Sequence, residues 1–342
     1  MTPHLQNNEP RSSLPSVWAV VLTYDGLEDT RKCLRSIQPI ERLHTLLVDN
    51  GSADGTAAVV RREFPWVEIL RLESNVGPAA GNNHGIAYAL AAGAEWVLVL
   101  NNDTTVRPEL VDRLLAAAAA HPAFGIIGPV VNYMDEPDVV MIEGTSFNDA
   151  DFDGFFKHVP VPRASTTPPT IAPVEIVNGC CMLIAASVLR RIGMFDEQFF
   201  IYHDETDFCL RARAAGFQCG VISEQLVWHK GSSSFKRTGK RLPRYYDARN
   251  VARLLRKHGT GGPGKRGVVA SYVMYLKHVY YIYCLEREGG HPEAADAGIE
   301  GFCDGLAGRF GRFTTRRRPA LPVLRTVIEL GRRRPRWRVE GI

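Results

Sequence analysis

Long apolar runs are missing from this chain of 342 residues. No window reaches the ~18 uninterrupted apolar residues that cross a bilayer. The nearest, Val268–Leu285, carries Lys277 and His278 in its middle. The N-terminal MTPHLQNNEPRSSLPS has no apolar stretch to serve as a signal peptide, and residues 1–16 read as a flexible tail. The seven cysteines show no paired CxxC spacing, and only Cys180 and Cys181 are adjacent. A zinc cluster and a disulfide framework are both disfavoured, so buried reduced thiols in a cytoplasmic protein are expected. There is no Walker A lysine motif. The first apolar run ends in TYDGLED, whose single glycine cannot make the GxGxxG turn of a dinucleotide site. Any nucleotide must then be held by side chains and by a metal.

The composition is globular, 45% apolar and 23% charged, and the net charge is only +4. That charge is unevenly placed. From Arg309 onward there are 11 arginines, opposed only by Glu329 and Glu340. Upstream, Tyr245–Lys257 sets Arg249, Arg253 and Arg256 on one helix with apolar residues between them. No recognition-helix pattern or aromatic–glycine RNA motif accompanies these arginines, so nucleic acid is not an expected partner. Two expectations stand for the basic end: a solvated tail, or a surface that attracts anionic lipid or a polyprenyl diphosphate and sits peripherally on a membrane.

Periodicity sets the organisation. Val17–Tyr24 is a β-branched buried strand, and Leu27, Leu34 and Ile37 recur at helical spacing after it. Leu43–Val48, Val67–Leu72 and Trp96–Leu100 read as further strands. A helix ending at Phe64, capped by Ser52 or Asp54, and an alanine-rich helix ending at Ala92 separate them. Strands alternating with helices of this length predict a doubly wound α/β fold with a mostly parallel sheet. Asn132–Pro173 breaks the pattern and reads as hairpins or long loops. Helices return at Ala185–Ile192 and Glu205–Ala215, the latter after an apparent aromatic strand, FFIY. From Tyr245 the chain is helical and basic, giving a domain over residues 17–258 and a helical extension over 259–342.

Three strand ends are polar: Thr23-Tyr24-Asp25, Asp49-Asn50-Gly51-Ser52 and Asn101-Asn102-Asp103. One such end is an ordinary turn, but three in succession at the carboxyl edge of a parallel sheet suggest a site for a polar ligand. Asp103 alone would read as a helix cap before Pro108, and Asp25 and Asp49 as turn formers.

In order along the chain, VVLTYDGLEDTRKCLRSI, VDNGSADGT, NVGPAAGNNHGI, VLVLNNDTTVRPELVDRL, NGCCMLIAASVLRRIGMFDEQFFIYHDETDFCLRARAAGF and VWHKGSSS resemble the successive signatures of family 2 glycosyltransferases. The rhamnosyltransferase-like branch, with NND in place of DxD, is the nearest match. The resemblance implies a GT-A fold and an inverting, metal-dependent transfer from a nucleotide-diphosphate sugar. The implied donor is dTDP-rhamnose, or else a UDP-sugar. The acceptor would be a glycan or polyprenyl-linked glycan in bacterial surface-polysaccharide synthesis. It implies Asp103 and His229 as ligands of Mg2+ or Mn2+. Thr23, Asp25, Asp49, Asn50, Asn75, Gly77, Gly81, Asn82 and Asn102 would line the nucleotide-sugar site. Glu205 would be the base that deprotonates the acceptor, with Asp204 kept open as its alternative. Lys230 and the following serines would add phosphate donors. A nucleotidyltransferase is the first competing reading, but TYDGLEDT lacks its glycine-rich basic loop. A non-catalytic carbohydrate or lipid binder is the second, and it has no need of a base.

Overall fold

In the computed structural model, residues 15–147, 156–162, 168–231, 240–259, 267–315 and 321–332 are described. The first half alternates as the periodicity predicts: β1 Val17–Thr23, α1 Leu27–Ile37, β2 Leu43–Asp49, α2 Thr56–Glu63, β3 Glu68–Arg71, α3 Pro78–Ala91 and β4 Trp96–Asn101. Period-two alternation divides each strand between two cores. Val17, Ala19 and Val21 of β1 face a cluster with Leu34 and Ile37 of α1 and Val60 of α2. Trp18 and Val20 face the opposite cluster, with Ala79, Ile86 and Ala89 of α3. Asp54, rather than Ser52, serves the start of α2: its Oδ1 accepts from Thr56 N at 3.0 Å and from Thr56 Oγ1 at 2.5 Å.

Next come β5 Thr104–Val106, α4 Leu110–Ala120, β6 Phe124–Tyr133 and β7 Val140–Ile142. The irregular stretch then contains β8 Gly144–Phe147, β9 Phe156–Val159 and β10 Ile171–Val174, of which β8 and β9 form a separate hairpin. β11 Cys181–Ala185, α5 Ala186–Ile192, α6 Asp204–Ala214 and β12 Gln218–His229 follow. The main sheet runs β10-β12-β6-β11-β4-β1-β2-β3, with β5 beside β12 and β7 beside β6. β1 to β4 are parallel, while β11 is inserted antiparallel between β4 and β6. The sheet is therefore mixed, with a parallel half that carries the polar strand ends.

The aromatic strand expected before Asp204 does not form. Glu197–Phe199 is a turn of 3-10 helix, and Phe200, Tyr202 and His203 have φ of 64°, 66° and 67°. Left-handed backbone at three non-glycine residues cannot extend a ladder.

The C-terminal layer consists of α7 Arg241–His258, α8 Val268–Glu288, α9 Pro292–Leu306 and α10 Leu321–Arg332. Ala248, Val251, Ala252 and Leu255 of α7 pack with Met274, Tyr275, Val279 and Ile282 of α8 and Phe302 of α9. α9 approaches α7 backbone to backbone, since a Cβ on Gly301 would lie 2.2 Å from the Tyr245 carbonyl oxygen. Of the arginines of α7 expected at the surface, Arg249 and Arg253 turn inward while Arg256 stays exposed. Arg249 is wholly buried, and Arg253 holds the Asp196 carboxylate. Residues 316–318 and 333–342, with most of the arginine runs, lie outside the described residues. No helix among the described residues is long and apolar enough to cross a membrane.

Asp207 on α6 shows how the layers are tied. Its carboxylate is fully buried and meets Arg211 Nε at 2.8 Å, Lys257 Nζ at 2.6 Å and His258 Nε2 at 2.8 Å. Burial alone would raise its pKa, but His258, Lys257 and Arg211 together hold it well below the usual carboxylate range. The stability it contributes is present above the unfolded pKa of about 4 and is lost as pH falls further. Asp207→Asn should therefore destabilise the fold by about 3 kcal/mol near pH 7, the cost of breaking ion pairs to a buried carboxylate. In thermal unfolding the gap between wild type and variant should narrow below pH ~4.

Candidate active site

The carboxyl edge of the parallel half gathers the predicted residues in two groups. The first surrounds Asp103. β5 pairs antiparallel with β12, and the register sets His229 opposite Thr104. That brings His229 Nε2 to 3.0 Å from Asp103 Oδ1 and 3.5 Å from Asn101 Nδ2. Asp103 does not cap α4, whose N-cap is Glu109. Its carbonyl accepts from Lys230 N at 3.0 Å, locking the residue after β12 to the turn after β4. Lys230 Nζ is bound to both carboxylate oxygens of Asp29 at the start of α1, at 2.9 and 3.0 Å. The serines at 232–234 lie outside the described residues.

Asn102 faces away from this pair. Its Nδ2 donates to Thr30 Oγ1 at 3.0 Å and lies 3.3 Å from Thr23 Oγ1 and 3.4 Å from the Gly26 carbonyl. Thr23 and Thr30 share a 2.9 Å hydroxyl contact. Thr23 and Asn102 thus fasten the strand ends to α1.

The nucleotide side is built on similar internal bonds. Asp49 is buried, its Oδ1 accepts from Ser52 N at 2.8 Å, and Arg71 Nε lies 3.6 Å from its Oδ2. Asp25, with φ of 48°, accepts from Ala53 N at 2.8 Å. Asn50 Oδ1 accepts from Val76 N, while its Nδ2 reaches Asn75 Oδ1 and the Gly77 carbonyl. Gly77 has φ of 91°, and a Cβ there would meet the Phe200 ring at 2.6 Å. Gly81 lies against Leu22 and Asn50 in the same way. Asn82 Oδ1 is buried with no hydrogen-bond partner among the described residues. It is an acceptor that a ligand hydroxyl or amide would satisfy.

The second group is Asp204 and Glu205 at the start of α6, reached through the left-handed segment. Asp204 is buried, and burial followed by the neighbouring charge of Glu205 pushes its pKa well above the carboxylate range. Glu205 is the more exposed of the two, and a Cβ on Gly179 would stand 3.3 Å from its Cβ. The turn Asn178–Cys180 connects both groups. Cys180 O accepts from Asn101 N at 2.9 Å, and its thiol is pushed up by burial, by Cys181 and by the charges of Asp103 and Glu205. Gly179 against Glu205 and Cys180 bonded to Asn101 thus put one turn in contact with both groups. All seven cysteines are free, as expected. Gly179, Arg71 and Asp29 carry no sequence signal strong enough to have marked them in advance.

Residues 18–192 match the family described as Glycosyl transferase family 2. The chain is a family 2 glycosyltransferase. Among curated relatives, it is 29% identical over 237 residues to an N-acetylglucosaminyl-diphospho-decaprenol L-rhamnosyltransferase of Mycobacterium tuberculosis, covering 63% of this chain and 76% of that one. It is 28% identical over 250 residues to the dTDP-rhamnosyl transferase RfbF of Shigella flexneri, covering 71% and 81%. The glycosyltransferase is similar in fold to the mannosyltransferase PcManGT of Pyrobaculum calidifontis, solved with GDP-Man and Mn2+. The TM-score is 0.54 at 16% identity, covering 95% and 82% of the two chains. It is also similar to GalNAc-T7, solved with UDP, GalNAc and Mn2+, with a TM-score of 0.51 at 14% identity, covering 71% and 51%. These are GT-A glycosyltransferases, and the mixed sheet described above is that fold.

The raised pKa of Asp204 has a measurable sign. The folded state keeps a proton that the unfolded chain releases near pH ~4, so this group lowers stability as pH rises above that value. Asp204→Asn should match wild-type Tm at pH ~4 and exceed it at pH ~7. A lower Tm than wild type at neutral pH would mean that Asp204 is ionised in the fold.

Proposed function

We propose that the glycosyltransferase inverts the anomeric centre of a nucleotide-diphosphate sugar, dTDP-L-rhamnose foremost and a UDP-sugar otherwise, on transfer to a hydroxyl of a glycan or lipid-linked glycan. The observation that carries this reading is that one turn, 178–180, touches both groups: Cys180 O accepts from Asn101 N beside Asp103 and His229, and Gly179 lies against Glu205. A carboxylate–imidazole pair and a half-buried carboxylate thus share one edge of the sheet.

Asp103 and His229, a carboxylate and an imidazole 3.0 Å apart, fit a divalent ion, Mg2+ or Mn2+, that takes its remaining ligands from the donor's phosphates. No cluster of three or more His, Cys, Asp or Glu side chains suited to a metal occurs among the described residues, so the protein supplies only part of the shell. When bound, such an ion offsets the charge developing on the departing diphosphate. Asp49, Asn50 and the 75–77 turn form the floor on which the base and ribose lie, and the Asn82 oxygen accepts from the donor.

Glu205 takes the proton of the acceptor hydroxyl. The hydroxyl oxygen bonds to the anomeric carbon as the bond to diphosphate oxygen breaks on the opposite face, and the electron pair leaves with the nucleoside diphosphate. Asp204, holding a proton, leaves Glu205 as the base.

The names of the two rhamnosyl-transferring relatives support the donor, and the decaprenyl diphosphate in one supports a lipid-linked acceptor. α10 exposes Val323, Val327 and Leu330 at helical spacing, and α8 exposes Val269, Val273 and Leu276. The arginine runs that flank α10 in sequence, Arg316–Arg318 and Arg332–Arg334, support a surface for anionic lipid at the cytoplasmic side of the membrane.

Two measurements test the reading. In calorimetry with dTDP-L-rhamnose, affinity should depend on Mn2+ and fall ~10-fold or more in Asp103→Asn, with a smaller fall in His229→Ala. Glu205→Gln should retain that affinity and lose ~100-fold or more in transfer to a synthetic N-acetylglucosaminyl diphosphate lipid. Donor binding with undiminished transfer in Glu205→Gln would exclude Glu205 as the base. Separately, flotation with phosphatidylglycerol vesicles should be lost when Arg332, Arg333 and Arg334 are changed to Glu; unchanged flotation would remove the lipid surface from the proposal.

A further inference from the structure

Asp204 and Glu205 are presented by a segment that the backbone does not favour by itself. Phe200, Tyr202 and His203 are left-handed, and the His203 carbonyl then accepts from Asp207 N at 3.0 Å as α6 begins. Side chains of this size visit that region only when their surroundings over-determine it. The surroundings here come from one face of α7.

Asn250 is wholly buried on that helix. Its Nδ2 lies 3.0 Å from the Phe199 carbonyl oxygen and 2.8 Å from those of Ile201 and Tyr202. Two N–H bonds are thus shared among three carbonyls of the left-handed segment. The orientation of the amide is imposed by its neighbour. Arg249 Nε donates to Asn250 Oδ1 at 2.9 Å, so the nitrogen end must face the carbonyls.

Arg249 is itself fixed. Its guanidinium reaches the Phe199 carbonyl at 2.7 Å and bonds the Gly311 carbonyl, and it lies over the Tyr246 ring at 4.8 Å. From one turn back, Asp247 meets His203 Nε2 at 2.9 Å. The Phe200 ring is held independently of Asn250, stacked on Tyr246 and against Gly77.

We infer that Asn250, oriented by Arg249, is a positioning residue that holds the left-handed segment 199–203 so that Glu205 faces the acceptor hydroxyl. This rests on the reading of Glu205 as the base. The bonds of Asn250 go to Phe199, Ile201 and Tyr202 and skip Phe200, the residue of the segment that packs on Gly77, so its influence falls on the approach to Glu205 rather than on the donor turn.

The test is a split between kcat and donor binding. Asn250→Ala and Asn250→Leu, the latter refilling the volume without a donor, should each lower kcat ~100-fold, because a displacement of about 1 Å in a reacting group is that costly. KM and Mn2+-dependent calorimetric affinity for dTDP-L-rhamnose should stay within about twofold of wild type. Recovery of kcat in Asn250→Leu would overturn the inference by assigning the effect to packing. Loss of donor affinity in step with kcat would overturn it by showing a role in the fold at large. If Glu205→Gln is inactive while Asn250→Ala keeps wild-type kcat, the clamp alone is refuted. If Glu205→Gln transfers normally, both ideas fall.

Discussion

The pairing of β5 with β12 is the contact on which the site depends. β5 has only three residues, and its ladder to β12 is what sets His229 opposite Thr104. Side chains alternate along a strand, so a slip of one residue would turn the imidazole to the other face and leave Asp103 without it. The same register brings the Lys230 amide to the Asp103 carbonyl and its ammonium to Asp29. The edge that carries Asp103 and His229 is therefore assembled from residues more than a hundred positions apart and held by main-chain bonds.

α6 carries buried carboxylates with opposite fates less than one turn apart. Asp204 looks toward another acid and keeps its proton, whereas Asp207 looks toward an arginine, a lysine and a histidine and stays charged. Two of those three partners, Lys257 and His258, belong to α7. That helix also neutralises Asp196 through Arg253 and encloses Arg249 among aromatic rings. The C-terminal helices are thus tied into the electrostatics of α6.

Much of the parallel half was legible in the sequence. The strands ending at Thr23, Asp49 and Asn101 and the helices between them stand where β-branched runs and helical spacing put them, because local burial patterns decide these elements. The acidic pair at the start of a helix was legible for the same reason. Other expectations failed because the deciding partner is remote. FFIY has the composition of a strand, but Asn250 and Arg249 claim the carbonyls that a ladder would use. The arginines of α7 looked like a solvated or lipid-facing row; in the fold Arg249 meets buried carbonyls and Arg253 meets Asp196, while Arg256 stays exposed. Nor does spacing show the bonds by which Asn50, Asn75, Thr23 and Asn102 brace the strand ends, since their partners, Thr30 and the 76–77 backbone among them, are remote in the chain.

By itself, the sequence determined the family, the alternation of strands and helices and the polar residues at the carboxyl edge, since each is written in short-range pattern and order. Only the tertiary structure decided how those polar groups are bonded, which acid of α6 is paired with cations and what holds the segment before it. Those properties are set by burial and by partners brought together across the chain, and a linear spacing carries no record of either.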